Sequence, residues 1–183
     1  MPDPYPEEFT IEINRPGLAR YLRRAERRRI DVVLGTLGAF GGLFYAAAWV
    51  ERIEASGATI APLLIPALVV AGAALGALLG TFLTPLVYAV LSRKEVRRQV
   101  ESLHVAVEGP YLRIRSQSSR TSDRKLHFRS IVDYSTVQDR LARRCGVEVL
   151  QLTTMAGGQH TLVLIPAVED CLEVRDTLAE VDR

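Results

Sequence analysis

The sequence has few cysteines and no large excess of basic over acidic residues. Its two cysteines, Cys145 and Cys171, exclude a disulfide framework and fit a reducing compartment. Lysine and arginine number 23 against 21 acidic residues, so the net charge is only +2. This near balance argues against a dedicated nucleic-acid-binding protein. We predict that each cysteine is a small buried side chain and not a reactive thiol.

The motifs of common enzyme classes are lacking as well. The chain has no P-loop, no GxSxG, no HExxH and no GxGxxG after a predicted strand. No pair of histidines or cysteines has the spacing of zinc ligands, and His104, His127 and His160 fall on separate predicted strands. The sequence therefore predicts a non-catalytic protein with no metal, no cofactor and no small-molecule substrate.

Charge is missing altogether from two long stretches, residues 32–50 and 60–91. A helix needs about 20 apolar residues to cross the hydrocarbon core of a bilayer. We therefore predict two transmembrane helices, at 30–50 and 60–91, with Pro85 either kinking the second near its exit or ending its straight part. The predicted organisation is an N-terminal segment at 1–29, a transmembrane hairpin at 30–92 and a C-terminal domain at 93–183.

Basic residues are concentrated before the first apolar stretch and after the second, and the loop between the two stretches has few. Residues 15–29 contain seven arginines and one acid, and residues 93–98 contain four bases and one acid. The loop between the stretches offers Arg52 as its single base. Because basic loops stay in the cytoplasm, both termini are expected there, in a multi-pass protein of the cytoplasmic (inner) membrane.

Five glycines recur at four-residue spacing inside the predicted spans. They are Gly38 and Gly42 in the first span and Gly72, Gly76 and Gly80 in the second. Glycines at this spacing share one helix face and let two backbones approach closely. The face serves either to pack the two helices of one chain together or to bind a second copy or another membrane protein, and the two uses are compatible.

The region after residue 98 alternates apolar and polar residues in short runs, which predicts β-strands. We predict strands at 103–107, 111–115, 125–128, 131–136, 147–153 and 160–165, a polar loop at 117–123 and a helical turn at 138–144 ended by Gly146. Pro166 is expected to open a C-terminal amphipathic helix, since Glu169 and Asp170 would occupy its first turn. The predicted fold class is α+β.

Residues 131–149 have the sequence IVDYSTVQDRLARRCGVEV. They resemble the central signature of the bacterial pleckstrin-homology-like, membrane-flanked domain family. Its members show a strand ending in Gln, a short Arg-containing helical turn, a Gly, and a strand of alternating Val and Ile. The resemblance covers about 100–182 and implies a seven-stranded antiparallel β-barrel or sandwich capped by a C-terminal helix. Because six strands are predicted after Arg98, we expect residues 9–13 to supply the seventh.

Charge is distributed unevenly within the C-terminal domain. Residues 109–144 hold nine bases and three acids, whereas residues 145–183 hold two bases and seven acids. The predicted basic face consists of Arg113, Arg115, Arg120, Arg124, Lys125, Arg129, Arg140, Arg143 and Arg144. It would contact anionic lipid, an acidic partner protein or the acidic half of a neighbouring copy, unless it is an ordinary solvated surface.

Taken together, these patterns predict a non-catalytic binding or scaffold protein anchored in the membrane. Its expected partners are membrane lipids and either other membrane proteins or a second copy of the chain. Two alternatives remain open, a structural accessory subunit of a larger membrane complex and a regulator that senses anionic lipid.

Overall fold

The computed structural model describes residues 8–57, 61–62, 64–117, 121–156 and 158–181. The chain forms two compact units. One unit is built from residues 1–24 and 94–183, and the other comprises residues 25–93. Described residues 8–24 are thus grouped with the C-terminal part of the chain.

Two helical stretches are long and apolar enough to cross a membrane, α1 and the stretch Leu64–Ser102. Within the described ranges the helices are α1 (Arg15–Ala55), α2 (Leu64–Phe82), α3 (Thr84–Val87), α4 (Arg93–Ser102), α5 (Arg140–Cys145) and α6 (Cys171–Val181). A π-helical turn, Tyr88–Ser92, joins α3 to α4. The basic segment and the first predicted span thus form one continuous helix, because Pro16 lies in its first turn, where a missing N–H costs nothing.

The expected break near Pro85 is confirmed. Helix α2 ends at Phe82, and Pro85 lies in the first turn of α3. Further along, the ring of Tyr88 is buried and the guanidinium carbon of Arg27 lies 5.0 Å from its centroid. The start of the second predicted span, at residue 60, lies outside the described residues.

The strands form two antiparallel sheets, with the orders β1-β2-β3-β4 and β5-β6-β7. The strands are β1 (Phe9–Ile11), β2 (His104–Glu108), β3 (Tyr111–Gln117), β4 (Thr121–His127), β5 (Ile131–Val137), β6 (Val149–Ala156) and β7 (Gln159–Pro166). A 3-10 turn, Phe128–Ser130, separates β4 from β5 and interrupts the ladder. The barrel alternative is therefore wrong, because the two sheets do not close into one.

The N-terminal strand supplies the seventh strand, as expected. Phe9 lies opposite Val107 and Ile11 opposite Val105 in an antiparallel pair. One residue further on, the backbone N–H of Asn14 donates to the carbonyl of Ala167 at 2.8 Å. The segment before α1 is thus attached both to the first sheet and to the turn that precedes α6.

Alternation along the strands places one set of apolar side chains between the two sheets and α6. This core contains Ile11, Val105, Val107, Leu112, Phe128, Ile131, Leu150, Leu152, Val163, Ile165, Val168, Cys171 and Leu178. A second cluster joins the first turns of α1 to α5 and contains Leu18, Ala142, Cys145, Val147, Val149 and Ala167. Both cysteines are buried, as predicted.

Two local predictions are wrong. Four residues of the polar loop predicted at 117–123 lie in strands, because β3 extends to Gln117 and β4 begins at Thr121, and residues 118–120 lie outside the described residues. Pro166 does not open the last helix, because it ends β7 and α6 begins only at Cys171. As β7 is an edge strand, the missing N–H of a proline is tolerated there.

The short helix before Gly146 is confirmed and has a cap at each end. The Asp139 side chain accepts a hydrogen bond from the backbone N–H of Ala142, which satisfies a donor in the first turn. Gly146 follows the last turn with φ 66°, a left-handed conformation that favours glycine. These two caps fix where α5 begins and ends.

Candidate functional site

The glycines predicted to pack helices lie between α1 and α2 and face one another. They are Gly38, Gly42, Gly72, Gly76 and Gly80. A Cβ added at Gly38 would lie closer than 3.0 Å to the carbonyl of Gly76, and one at Gly80 would lie equally close to the carbonyl of Leu34. At every one of the five positions, the contact comes from the neighbouring helix of the same chain.

The register of these contacts makes α1 and α2 an antiparallel pair. Gly38 meets Gly76, and one turn later along α1 Gly42 meets Gly72. The contacting atoms include backbone carbonyls, which cannot move aside as a flexible side chain would. The glycine faces of the two helices therefore pack against each other within the chain. A Cβ added at Gly41, in contrast, would have no neighbour within 4 Å.

The sides of the helix pair that face away from the glycines carry large exposed apolar side chains. Among them are Val32, Leu37, Phe40, Phe44, Leu75, Leu78, Leu79 and Phe82. Only 11% of the most apolar 18-residue segment of α1 is buried. In the stretch Leu64–Ser102, only 6% of the corresponding segment is buried. A core helix of a water-soluble protein would be mostly buried, so these faces need an apolar covering.

Three residues of the predicted basic face are neutralised on the outer face of the first sheet. The Arg113 guanidinium donates to Asp123 at 2.7 Å and 3.0 Å and to Glu108 at 3.0 Å. Arg115 lies 3.4 Å from Asp123, and Lys125 lies 3.2 Å from Glu108. Three bases and two carboxylates on β2, β3 and β4 thus form one network.

These contacts shift the protonation of the carboxylates. Hydrogen bonds from Arg113 lower the pKa of Asp123 to about 2, with a smaller contribution from Arg115. Hydrogen bonds from Arg113 and Lys125 likewise lower the pKa of Glu108. In return, the hydrogen bonds to Asp123 and Glu108 raise the pKa of Arg113. Both carboxylates therefore remain ionised over the physiological range, and the bases paired with them are less available to an external anion.

Arg124 and Arg129 lie apart from this network. Arg124 lies on the opposite face of β4 from Asp123, and Arg129 lies in the 3-10 turn. Both side chains are exposed. Arg120 lies outside the described residues.

Helix α5 presents its three arginines together. Arg140, Arg143 and Arg144 stand at positions i, i+3 and i+4, which share one side of a helix. The opposite side carries Ala142 and Cys145, which are buried. All three arginines are exposed, and within the described part of the chain none is ion-paired with a carboxylate.

A fourth arginine joins this group from α1. One Nη of Arg24 donates to the carbonyl of Arg144 at 2.7 Å and contacts the Cys145 Sγ at 3.5 Å. A cation is favoured there, because the last carbonyls of a helix carry partial negative charge. We call Arg24, Arg140, Arg143 and Arg144 the α5 patch.

Tyr21 lies beside the α5 patch and packs against the second apolar cluster. Burial raises the pKa of Tyr21, and the negative charge of Asp139 adds to this effect. Together with Leu18, Tyr21 holds the beginning of α1 against α5. The α5 patch is thus carried on two elements that are packed together.

Acidic residues of the C-terminal half line an open cavity of about 530 Å³. Its lining includes Glu148, Glu169, Asp170 and Glu173 around the buried thiol of Cys171. Burial, with a smaller contribution from Glu148, raises the pKa of that thiol to about 11. Within the described residues, no group of three His, Cys, Asp or Glu side chains is arranged to hold a metal ion.

Sequence reasoning missed the partners of the basic residues. Glu108 and Asp123 belong to the neutralised network because β2, β3 and β4 lie side by side, and the predicted loop at 117–123 hid that register. Nothing in the sequence distinguishes Arg24 from the other arginines that precede the first apolar stretch. No family model, no curated protein and no solved structure matches the chain.

Proposed function

We propose that this chain is a membrane-anchored binding or scaffold protein without catalytic activity. In this proposal α1 and α2 cross the cytoplasmic membrane as a hairpin, and both termini lie on the cytoplasmic side. The unit that contains the two sheets is a pleckstrin-homology-like domain presented at that face. The observation that carries the proposal is the glycine-packed helix pair with large apolar side chains on its outer sides.

The distribution of charge and the order of elements support the same proposal. Arginines crowd the N-terminal part of α1, and α4 begins with Arg93 and Lys94, as expected for cytoplasmic flanks. The two antiparallel sheets and α6 are the elements from which the proposed pleckstrin-homology-like domain would be built.

Alkaline carbonate washing of native membranes tests the anchoring. An integral protein stays in the pellet, whereas release into the supernatant would contradict the proposal. Sidedness is tested by single cysteines introduced at Glu54, in the last turn of α1, and at Glu180, in α6. In sealed cells, an impermeant thiol reagent should label position 54 and not position 180.

A role as an accessory subunit is a second candidate, because the helix pair carries a shallow apolar groove on its outer surface. Gly35, Thr36, Ala39, Phe40, Leu43 and Ala73 line this groove. Gly41, which lies on the same helix, points to open space, so another transmembrane helix can approach closely there. Extraction in mild detergent, sizing and mass spectrometry distinguish the candidates. A stoichiometric large partner, lost when Ala39→Leu fills the groove, favours the accessory subunit, and a monomer or homo-oligomer favours the scaffold.

A further inference from the structure

We propose that the α5 patch binds the anionic headgroups of the membrane that α1 enters. The inference rests on the proposed function, because it requires α1 to cross a bilayer. Its first support is the arrangement of charge, with Arg140, Arg143 and Arg144 on one exposed side of α5. The buried side of the helix fixes the direction in which these guanidinium groups point.

The second support is the position of Arg24 on α1. Arg24 is hydrogen-bonded to the end of α5 and precedes Ile30, the start of the first predicted span, on the same continuous helix. With a rise of about 1.5 Å per residue, the two residues are separated by roughly 9 Å along the axis. The headgroup region on each side of a bilayer is about 5–8 Å thick. Along α1, Arg24 therefore lies close to the outer edge of the headgroup region, where its long side chain can reach lipid phosphates.

The third support is the chemistry of the four side chains. Guanidinium groups bind phosphate through paired hydrogen bonds and lose hydration more readily than ammonium groups do. The bases on the first sheet already hold Glu108 and Asp123, whereas the arginines of the α5 patch have no carboxylate partner within the described residues. An acidic partner protein would also suit four guanidinium groups, but the short distance along α1 to Ile30 favours lipid.

The test uses the full chain reconstituted in two kinds of lipid nanodisc, one of phosphatidylcholine alone and one that also contains phosphatidylglycerol. Hydrogen exchange is followed in the peptide that covers residues 139–147. We expect its amides to exchange at least about fivefold more slowly with phosphatidylglycerol, the factor that one base near an anionic surface supplies. Raising the NaCl concentration from about 0.1 M to about 1 M should remove the difference, because the screening length falls from about 10 Å to about 3 Å.

Paired variants test whether the protection comes from the α5 patch or from the overall positive charge of the chain. R143Q/R144Q should lose the protection, and R124Q/R129Q, which removes the same charge from exposed positions elsewhere, should keep it. R143K/R144K should retain most of it, which shows that loss in the glutamine variant is not a folding defect. Equal exchange in both nanodiscs, or equal loss in both glutamine variants, overturns the inference.

Carbonate washing of native membranes keeps the two proposals apart. Release of the wild-type chain would mean that the proposed function itself fails. A chain that resists the wash but shows no lipid-dependent protection would overturn the inference alone. In that case the α5 patch would remain available to an acidic protein partner.

Discussion

Ile11 and Val105 lie opposite each other in the antiparallel pair that joins β1 to β2, although both long apolar helices come between them in the sequence. Both side chains belong to the core between the sheets, and Ile11 is only 3% exposed. The sheet unit is therefore assembled from the two ends of the chain. Its integrity depends on a strand of three residues that precedes α1.

We predict that Ile11→Ala destabilises the sheet unit by about 2–5 kcal/mol, because it removes buried methyl groups and leaves a cavity. The neighbouring Thr10 is exposed, so Thr10→Ala is the matched control and should change stability little. Stability is measured by urea titration of the full chain in mild detergent, with exposure of Cys145 and Cys171 to a thiol reagent as the signal. Removal of residues 1–14 should be at least as damaging. Unchanged unfolding after that deletion would contradict the role assigned to β1.

A second prediction concerns the glycine contacts between α1 and α2. Gly76→Ala places a methyl group against the backbone of Gly38, so the helices must separate, at a cost of about 1–3 kcal/mol. Gly41→Ala adds the same group where nothing lies within 4 Å, and it should be neutral or slightly stabilising. Resistance of the purified protein to unfolding by sodium dodecyl sulfate measures both. Equal resistance of the two variants would show that the helix pair does not depend on this close approach.

A third prediction concerns the acid stability of the first sheet. Since the pKa of Asp123 is lowered in the folded state, its ionised form stabilises the fold, and this contribution is fully present above about pH 4. The contribution is lost as the pH falls towards about 2. The stability difference between wild type and Asp123→Asn should therefore be constant above about pH 4 and vanish near about pH 2.

The Asp123 measurement uses urea titrations with 4,4′-dithiodipyridine, a thiol reagent that works at acid pH. Asp133→Asn is the control, because Asp133 is an exposed carboxylate on β5 with no ion pair within the described residues. A stability gap for Asp123→Asn that persists down to pH 2 would argue against its ion pairs with Arg113 and Arg115.

A fourth prediction concerns the two thiols. Cys145 and Cys171 are both buried, and the pKa of Cys171 is raised to about 11, so neither should react with iodoacetamide at neutral pH until the protein unfolds. Leu172→Cys provides the comparison, because Leu172 is 53% exposed and directly follows Cys171. Mass spectrometry after a short exposure should find the label at position 172 alone. Rapid labelling of Cys171 in the native chain would contradict its burial.

The sequence predicted the elements that obey a simple period. Strands such as β2 alternate buried and exposed residues, and the end of α5 is marked by Gly146, which adopts the left-handed conformation. Only the second half of strand β4 was predicted, at 125–128, because β4 is an edge strand with exposed side chains on both faces and its first half lacks alternation. The turn before α6 was missed because Ala167 and Asp170 adopt positive φ without being glycine. Local sequence does not mark such a conformation.

The sequence indicated which residues belong to the candidate surfaces but not how these residues are arranged in space. Nine bases could be counted, but the neutralisation of Arg113 by Glu108 and Asp123 depends on the register of three strands. The grouping of Arg24 with α5 depends on packing between segments far apart in the chain. Pairings over long sequence distances follow from the complete fold, whereas local patterns specify only its elements.

The attachment of β1 to β2 also sets an order of events during synthesis. The first strand leaves the ribosome before either apolar helix exists, and its partner strand emerges only after both have been made. Domains otherwise tend to fold as they are synthesised, from the N-terminus onward. Here β1 cannot pair until β2 has been made, so the edge of β2 stays unpaired whenever β1 fails to reach it. Such an edge is a site for aggregation, so pairing with β1 removes an aggregation-prone edge from the first sheet.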